Sequence, residues 1–165
     1  MPKVSGLGHV GIYVKDMPMM IDFYTNFMGM YLTDRSPEDR IAFFSAKPDE
    51  EHHEFAIAPA RTPEETSNAQ QISFTVESLE MLQDFYQRIV ERGLPIERTI
   101  SHGNALACYF RDPEDNILEV YWNTGIDYPQ PHGDPIDLAA DPEELMEYLR
   151  NLPPKEPTVP RIWRN

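Results

Sequence analysis

Three side chains of metal-binding types, His9, Gln71 and Glu119, occupy related places in this sequence. His9 and Gln71 are 62 residues apart, at the same position of two similar segments. Glu119 lies in a strand-like segment that closes the second half of the chain, as Glu54 closes the first. An imidazole nitrogen, an amide oxygen and a carboxylate oxygen suit a borderline divalent ion such as Fe(II), Mn(II), Ni(II) or Zn(II). The pattern therefore predicts a metal site to which both halves contribute.

The elements that would position these residues belong to an internal repeat. Residues 7–14 return as residues 69–76, and Phe23-Tyr24 returns as Phe85-Tyr86 at the same offset. Apolar spacings predict one strand, one helix and three more strands in each copy. The predicted strands are 7–14, 30–34, 41–46 and 52–58, then 71–76, 96–101, 105–111 and 117–122, with helices between Asp16 and Gly29 and between Ser78 and Gly93.

This order of elements predicts the fold class. It is α+β, with two tandem βαβββ modules forming a curved mixed sheet around a cavity. The modules span about residues 5–60 and 68–125, and we predict that they form one domain over residues 1–125. The paired aromatic residues at helical spacing are predicted to be core.

Residues 126–165 do not repeat and predict a Pro-rich C-terminal extension. A loop comes first, and Asp141 then opens a short helix that runs to about Arg150. The tail that follows is predicted to be extended. Trp163, its one aromatic residue, would anchor it against the domain or against a second subunit.

Side-chain alternation predicts that the three candidate ligands share one sheet face. Successive side chains of a strand point to opposite faces of the sheet. His9, Gln71 and Glu119 then face the cavity if their apolar neighbours face the helices. Those neighbours are Val10, Ile12, Ile72, Phe74, Leu118 and Val120.

Alternation also bears on His53 and Glu54, which cannot both face the cavity in a regular strand. Glu54 would face it if Phe55 and Ile57 pack on the helix. A β-bulge near residue 53 would turn His53 inward instead. Regular alternation favours Glu54, and both readings stay open at this point.

Composition limits the partners of this chain. It has 28 acidic and 14 basic side chains and a formal charge of −14. Such a charge repels phosphate backbones and anionic lipids, so we predict no nucleic-acid and no membrane partner. No apolar run approaches the ~20 residues of a membrane span, and the N-terminus lacks the apolar core of a signal peptide. Cys108 is the only cysteine and is predicted to fill the core of a cytoplasmic protein.

Several segments carry a family resemblance. Residues 8–10 and 22–29 resemble the vicinal oxygen chelate superfamily, which includes glyoxalase I, bleomycin-resistance proteins and type I extradiol dioxygenases. Further segments resemble the catalytic module pair of the dioxygenases that act on biphenyl diols and catechols. They are 52–56, 101–104, 109–113 running into 118–120, and the loop 125–129 with 132–135. The resemblance covers roughly residues 5 to 150.

The resemblance implies roles for individual residues. His9 and Glu119 match two ligands of a 2-His-1-carboxylate Fe(II) site, and Gln71 stands where the second histidine ligand is expected. His53 matches the acid/base histidine, and Tyr109 matches the tyrosine that hydrogen-bonds a catecholate oxygen. His102 matches a histidine near bound substrate and oxygen. The implied reaction opens a catecholic ring next to its vicinal diol with O2, and the implied assembly is a homodimer.

Gln71 supports two alternatives from the same superfamily. The first is a glyoxalase I-like metal-dependent lyase or isomerase, in which Glu54 would join His9, Gln71 and Glu119 as a fourth ligand. The second is a non-catalytic small-molecule binding protein that resembles the bleomycin-resistance proteins and uses no metal. His53, His102 and Tyr109 favour the dioxygenase over the first alternative. His9, Glu119, His53 and Tyr109 favour it over the second.

Overall fold

The computed structural model describes residues 6–67 and 69–156, which form two compact units. Unit 1 comprises the described residues up to Ala69 together with Pro113–Asp115. Unit 2 comprises Gln70–Asp112 and the described residues from Asn116 onward. The single domain over residues 1–125 stays a prediction.

Unit 1 contains a four-stranded mixed sheet in the order β1-β4-β3-β2. Strands β1 and β4 are parallel, and the other two pairs are antiparallel. Its elements are β1 (Val10–Val14), α1 (Met17–Asp22), a π-helical turn (Phe23–Phe27), β2 (Tyr31–Arg35), a 3₁₀ turn (Pro37–Asp39), β3 (Ala42–Ser45) and β4 (Phe55–Pro59). The βαβββ order of the first module is thereby confirmed.

The helix of unit 1 forms where the sequence places its signals. The Asp16 carboxylate accepts a hydrogen bond from the backbone N–H of Met19 at 2.9 Å, which caps α1. The chain then leaves the helix at Gly29, whose φ of +77° lies in the region that glycine adopts without steric cost. Phe23 and Tyr24 are buried, and the Tyr24 ring centroid lies 4.6 Å from that of Phe55. This aromatic pair is core, as predicted, whereas Phe85 and Tyr86 of the second copy are only half-buried.

Unit 2 contains a five-stranded mixed sheet in the order β5-β8-β7-β6-β9. Strands β5 and β8 are parallel, and the remaining pairs are antiparallel. Its elements are β5 (Ile72–Val76), α2 (Leu79–Glu91), β6 (Ile96–Ser101), β7 (Ala105–Arg111), β8 (Ile117–Asn123), β9 (Asp134–Pro135) and α3 (Pro142–Arg150). The second βαβββ order and the short C-terminal helix are confirmed.

Helix α2 covers one face of the sheet in unit 2. Ser78 caps it by accepting a hydrogen bond from the backbone N–H of Met81 at 3.1 Å. The helix contacts β5, β7 and β8, and its Leu82 and Ile89 are fully buried. Leu118 and Val120 of β8 are also fully buried, so the intervening Glu119 points to the other face. This is the arrangement that side-chain alternation predicts.

Three predictions from sequence need correction or a limit. The strand predicted from His52 begins only at Phe55. Residues Asp134–Pro135, predicted to be loop, pair with β6 as a fifth strand. Trp163 lies outside the described residues, so the anchoring role stays a prediction. No helix in the described part of the chain has the length and apolar character needed to cross a membrane.

Glu114 holds the start of the first helix in unit 1. Its carboxylate accepts hydrogen bonds from the backbone N–H groups of Lys15 at 2.8 Å and Asp16 at 2.7 Å. It also lies 3.9 Å from the Arg61 guanidinium, and the two side chains are only 2% and 6% exposed. Leaving a buried polar group without its hydrogen-bond partner costs free energy of folding.

We therefore expect Glu114→Ala to lower the free energy of unfolding by about 2–4 kcal/mol, because two amides lose their acceptor. Urea denaturation followed by circular dichroism measures this. Glu91→Ala, at the exposed end of α2, is the control and should stay within about 0.5 kcal/mol of the parent. Equal stability of the two variants would contradict the role assigned to Glu114.

Candidate metal and substrate site

Glu119 is a buried carboxylate at the centre of unit 2. It belongs to β8, where its register partners are Ser73 on one side and Tyr109 on the other. The residue is 6% exposed. Its Oε2 accepts hydrogen bonds from Gln71 Nε2 at 3.1 Å and from Ser73 Oγ at 2.5 Å. A buried anion held by neutral donors is well suited to receive a cation.

Gln71 immediately precedes β5 and shares this sheet face with Glu119. Its Nε2 also donates to Ser73 Oγ at 2.9 Å. The amide nitrogen therefore faces the carboxylate. Because rotation about the last side-chain torsion is broad, a half-turn would present the amide oxygen there instead. The structure thus brings Gln71 and Glu119 together, as the sequence predicts.

Tyr109 on β7 places a phenol beside this carboxylate. The residue is 4% exposed, and burial raises the pKa of its hydroxyl to about 12. The hydrogen bond with Glu119 and the charge of Glu119 act in the same direction, while Arg98 lowers the pKa. The hydroxyl consequently stays protonated at neutral pH and can donate a hydrogen bond to a ligand.

His102 orients the Tyr109 hydroxyl. Its Nδ1 lies 2.7 Å from the backbone carbonyl of His132, and its Nε2 lies 3.2 Å from Tyr109 Oη. Because a carbonyl can only accept, Nδ1 is the donor in the first contact, and in the tautomer that carries its one proton there Nε2 accepts from the phenol. Two residues predicted for substrate contact are therefore linked to each other.

Arg98 is a site residue that the sequence analysis missed. Its guanidinium carbon lies 4.1 Å from the centroid of the Tyr109 ring. Arg98 is directly opposite Tyr109 in the antiparallel pair of β6 and β7. The sequence contains no signal for this contact, because a register shift between Ile96 and Arg98 displaces the pairing by one residue.

Unit 1 brings His9 and His53 together. Their ring centroids are 4.5 Å apart, and the His53 ring also contacts that of Phe43 at 4.7 Å. The Nδ1 atoms of His53 and His52 are 2.9 Å apart. Glu54 is exposed, and its Oε2 accepts a hydrogen bond from the backbone N–H of Ala46 at 2.8 Å.

The contact of His9 with His53 lies just before two strands. His9 and His53 both lie just outside regular strands, because β1 begins at Val10 and β4 at Phe55. The Glu54 backbone still bonds to Val10 and Phe44, at 3.1 and 3.0 Å, so the choice between residues 53 and 54 for the cavity face stays a prediction. His53, rather than Glu54, contacts His9.

The candidate residues thus fall into two groups. Unit 2 brings together Gln71, Glu119, Tyr109 and His102, and unit 1 brings together His9 and His53. The meeting of His9 with Gln71 and Glu119 at one ion stays a prediction. Among residues 6–67 and 69–156, no group of three or more His, Cys, Asp or Glu side chains is placed to hold a metal ion. Gln71 is not among these four residue types.

A cleft of about 670 Å³ in unit 1 is a separate feature. Its lining comes from residues 10–13, 60–61, 64–67 and 69. None of the six predicted site residues is among them. The chemistry-bearing side chains are accordingly not those of this cleft.

The pKa of Tyr109 gives a prediction of its own. Tyrosine ionises near pH 10 in an unfolded chain, and here it should ionise near pH 12, so its protonated form favours the folded state. Stability from this residue is present below pH 10 and is lost as the pH rises toward 12. The ultraviolet difference between wild type and Tyr109→Phe should titrate near pH 12. A Tyr109 signal near 10 would contradict the described environment.

Comparison with known proteins gives a family and a set of similar structures. The profile of the Glyoxalase/Bleomycin resistance protein/Dioxygenase superfamily matches residues 6–120. Biphenyl-2,3-diol 1,2-dioxygenase 3 of Rhodococcus globerulus is 27% identical over 150 residues, which cover 87% of this chain and 69% of that protein. Biphenyl-2,3-diol 1,2-dioxygenase 2 of the same organism is 25% identical over 129 residues, covering 70% of this chain and 68% of that protein.

Solved structures agree on the fold. The fosfomycin resistance protein FosX of Listeria monocytogenes, 21% identical, gives a TM-score of 0.58 over 74% of this chain and 96% of its own. A lactoylglutathione lyase from Agrobacterium tumefaciens, 16% identical, gives 0.59 over 77% of this chain and 100% of its own. Another FosX structure, 22% identical with a TM-score of 0.58 over 74% of this chain and 93% of its own, is a complex with Mn(II) and sulfate. At these identities the likeness concerns the fold alone.

Proposed function

The chain belongs to the Glyoxalase/Bleomycin resistance protein/Dioxygenase superfamily, and from this premise we propose that it is a metal-dependent dioxygenase that opens a catecholic ring with O2. The observation that carries the proposal is the Glu119, Tyr109 and His102 cluster of unit 2. A buried carboxylate, a phenol that stays protonated and an imidazole that orients it stand side by side. The likeness to two biphenyl-2,3-diol dioxygenases supports the same reaction class.

The residues present fit a divalent metal. Glu119 is buried without an ion-pair partner among the described residues, and its hydrogen-bonding neighbours Gln71 and Ser73 are neutral. A cation there would supply the missing charge compensation. We propose that Glu119, Gln71 and His9 hold it, and that Fe(II) is the ion, with Mn(II), Ni(II) or Zn(II) as alternatives. The chemistry that Fe(II) supplies to such a site is electron transfer between a diol and O2.

The side chains of this chain would then bind and move protons. Tyr109 would turn its single hydroxyl proton away from its present partners to donate a hydrogen bond to one oxygen of the diol, and His102 would stay beside the phenol oxygen. His53 would take a proton from the diol and return it when the ring opens, as a general acid and base. The contact between the His53 and His9 rings supports this assignment, because it associates the proton carrier with a proposed ligand.

The glyoxalase I-like alternative has less support in this structure. It needs Glu54 as a fourth ligand, whereas the Glu54 carboxylate accepts a hydrogen bond from the backbone of Ala46. The metal-free binding protein needs no buried carboxylate beside a phenol. The cytoplasmic location and the homodimer stay predictions.

Anaerobic reconstitution with Fe(II) tests the proposed function. The protein should retain about one iron per chain and, when O2 is admitted, convert at least one member of a catechol panel to a yellow ring-fission product. Glu119→Gln, which keeps the shape but removes the charge, should do neither. Stoichiometric iron without ring fission of any catechol would reject the dioxygenase. Absence of any bound metal would reject both metal-dependent alternatives.

A further inference from the structure

We propose that Arg98 makes this site selective for aromatic diols that carry a carboxylate. The inference deepens the proposed function, because it names the substrate class of the same site. It starts from the position of the guanidinium, which lies over the Tyr109 ring at 4.1 Å. A ligand that hydrogen-bonds to Tyr109 would therefore have a fixed positive charge beside it.

A β-bulge in β6 produces this position. Ile96 is opposite Phe110, yet Arg98 rather than Glu97 is opposite the next residue, Tyr109. Without the additional residue the acidic Glu97 would stand across from Tyr109. Instead Glu97 forms an ion pair with Arg111 at 2.5 Å. The bulge thus exchanges a negative for a positive side chain beside the phenol, in keeping with the use of bulges to redirect side chains near active sites.

The corresponding strand of unit 1, β2, shows that the bulge is common to both modules, whereas an arginine opposite a tyrosine is not. It has a register shift between Leu32 and Asp34, and Asp34 is there opposite Phe43. Both units therefore contain the bulge. The pairing of a cation with a phenol occurs only in the second of these two pairs of strands. The bulge is a feature of the fold, whereas the identity of Arg98 calls for another explanation.

The charge of Arg98 is not compensated within the described chain. Four other arginines, Arg35, Arg61, Arg111 and Arg150, lie within ion-pair distance of a carboxylate. Arg98 has no such partner in residues 6–67 and 69–156, although the protein contains 28 acidic side chains. It is also exposed, so its N–H groups remain accessible. The Tyr109 ring holds the guanidinium in place and leaves its charge available to a ligand.

A carboxylate is the ligand group that this arrangement recognises best. The planar guanidinium can donate two parallel hydrogen bonds to the two oxygens of a carboxylate, which a neutral substituent cannot receive in the same way. The predicted substrate is therefore a vicinal diol whose ring bears a carboxylate or a short carboxylate side chain.

Binding to the Fe(II)-reconstituted protein without O2 tests the inference. Calorimetric titration compares 3,4-dihydroxyphenylacetate with 3,4-dihydroxyphenylacetamide, its neutral isostere. Wild type should bind the acid about 10- to 100-fold more tightly than the amide. Arg98→Met should remove this preference by weakening the binding of the acid far more than that of the amide, and Arg98→Lys should keep part of the preference. Rising ionic strength should lower the affinity for the acid and not that for the amide, because Arg98 is exposed and its charge is screened by salt.

Arg150→Met is the matched control, since it removes one positive charge from an exposed ion pair on α3. It should bind both ligands as wild type does. An equal affinity of wild type for acid and amide, a preference that survives in Arg98→Met, or binding of neither ligand would overturn the inference. A preference that depends on Arg98 without ring fission in O2 would reject the dioxygenase and support the inference. Ring fission without a preference for the acid would support the dioxygenase and reject the inference.

Discussion

Glu119→Ala is expected to abolish the retention of Fe(II). The carboxylate is the one negatively charged member of the proposed ligand set, and it is buried. Loss of a hydrogen-bonding partner of a ligand typically weakens metal binding by about 10- to 100-fold. Removal of the Glu119 carboxylate, a proposed ligand, should weaken it by more. Metal analysis after anaerobic dialysis against a weak chelator measures the effect. Unchanged iron content in Glu119→Ala would remove the residue from the site.

Two further variants separate loss of the ligand from damage to the fold. Ser73→Ala removes a hydrogen bond to Glu119 but no ligand, so its metal affinity should fall by about 10- to 100-fold only. Glu97→Ala removes an exposed carboxylate from β6 of the same unit and should retain iron as wild type does. Circular dichroism of the metal-free proteins should show the same secondary structure in all of them. If Glu97→Ala lost as much iron as Glu119→Ala, the loss would reflect the change in net charge and not the removal of a ligand.

Much of the secondary structure was predictable because local signals and packing agree here. The caps at Asp16 and Ser78 and the Pro-opened helix from Pro142 to Arg150 are local features, and each appears where the sequence places it. The strands β6 and β7 were predicted with their observed bounds. Alternation along β8 also correctly separates Glu119 from the helix-covered face. Regular elements with strong apolar periodicity can be read from sequence alone.

The parts that the sequence did not predict depend on contacts between elements. Strand β9 forms only because Asp134–Pro135 meets β6, and nothing in a proline-rich loop indicates that pairing. The contact between His9 and His53 joins two residues just outside β1 and β4, and no apolar spacing indicates it. Arg98 reaches Tyr109 through a bulge, and a one-residue register shift leaves no mark in the pattern of apolar residues. These three features all bear on the candidate site or its surroundings.

Gln71→His is expected to tighten Fe(II) binding by about 10- to 100-fold. An imidazole nitrogen is a better donor than an amide oxygen to iron, nickel and zinc, whereas harder ions such as Mn(II) gain less from the exchange. Both side chains are neutral when they bind, so the charge of the site does not change. Competition with a chromophoric chelator under anaerobic conditions measures the affinity for each ion. The gain for Fe(II) should exceed the gain for Mn(II), a difference that a general stabilisation of the fold would not produce.

The same variant also bears on how Gln71 serves the metal-free protein. Its amide now donates to both Glu119 and Ser73, and a histidine at this position can satisfy only part of that pairing. Metal-free Gln71→His should therefore melt slightly below wild type, and Fe(II) should raise its melting temperature further than it raises that of wild type. Gln71→Ala is the control, because it loses the amide donors without gaining a ligand. Its metal-free form should melt below that of Gln71→His, and Fe(II) should raise its melting temperature less. If Gln71→His bound Fe(II) no better than Gln71→Ala, the side chain at this position would not face the ion, and the amide would serve only to hold the Glu119 carboxylate.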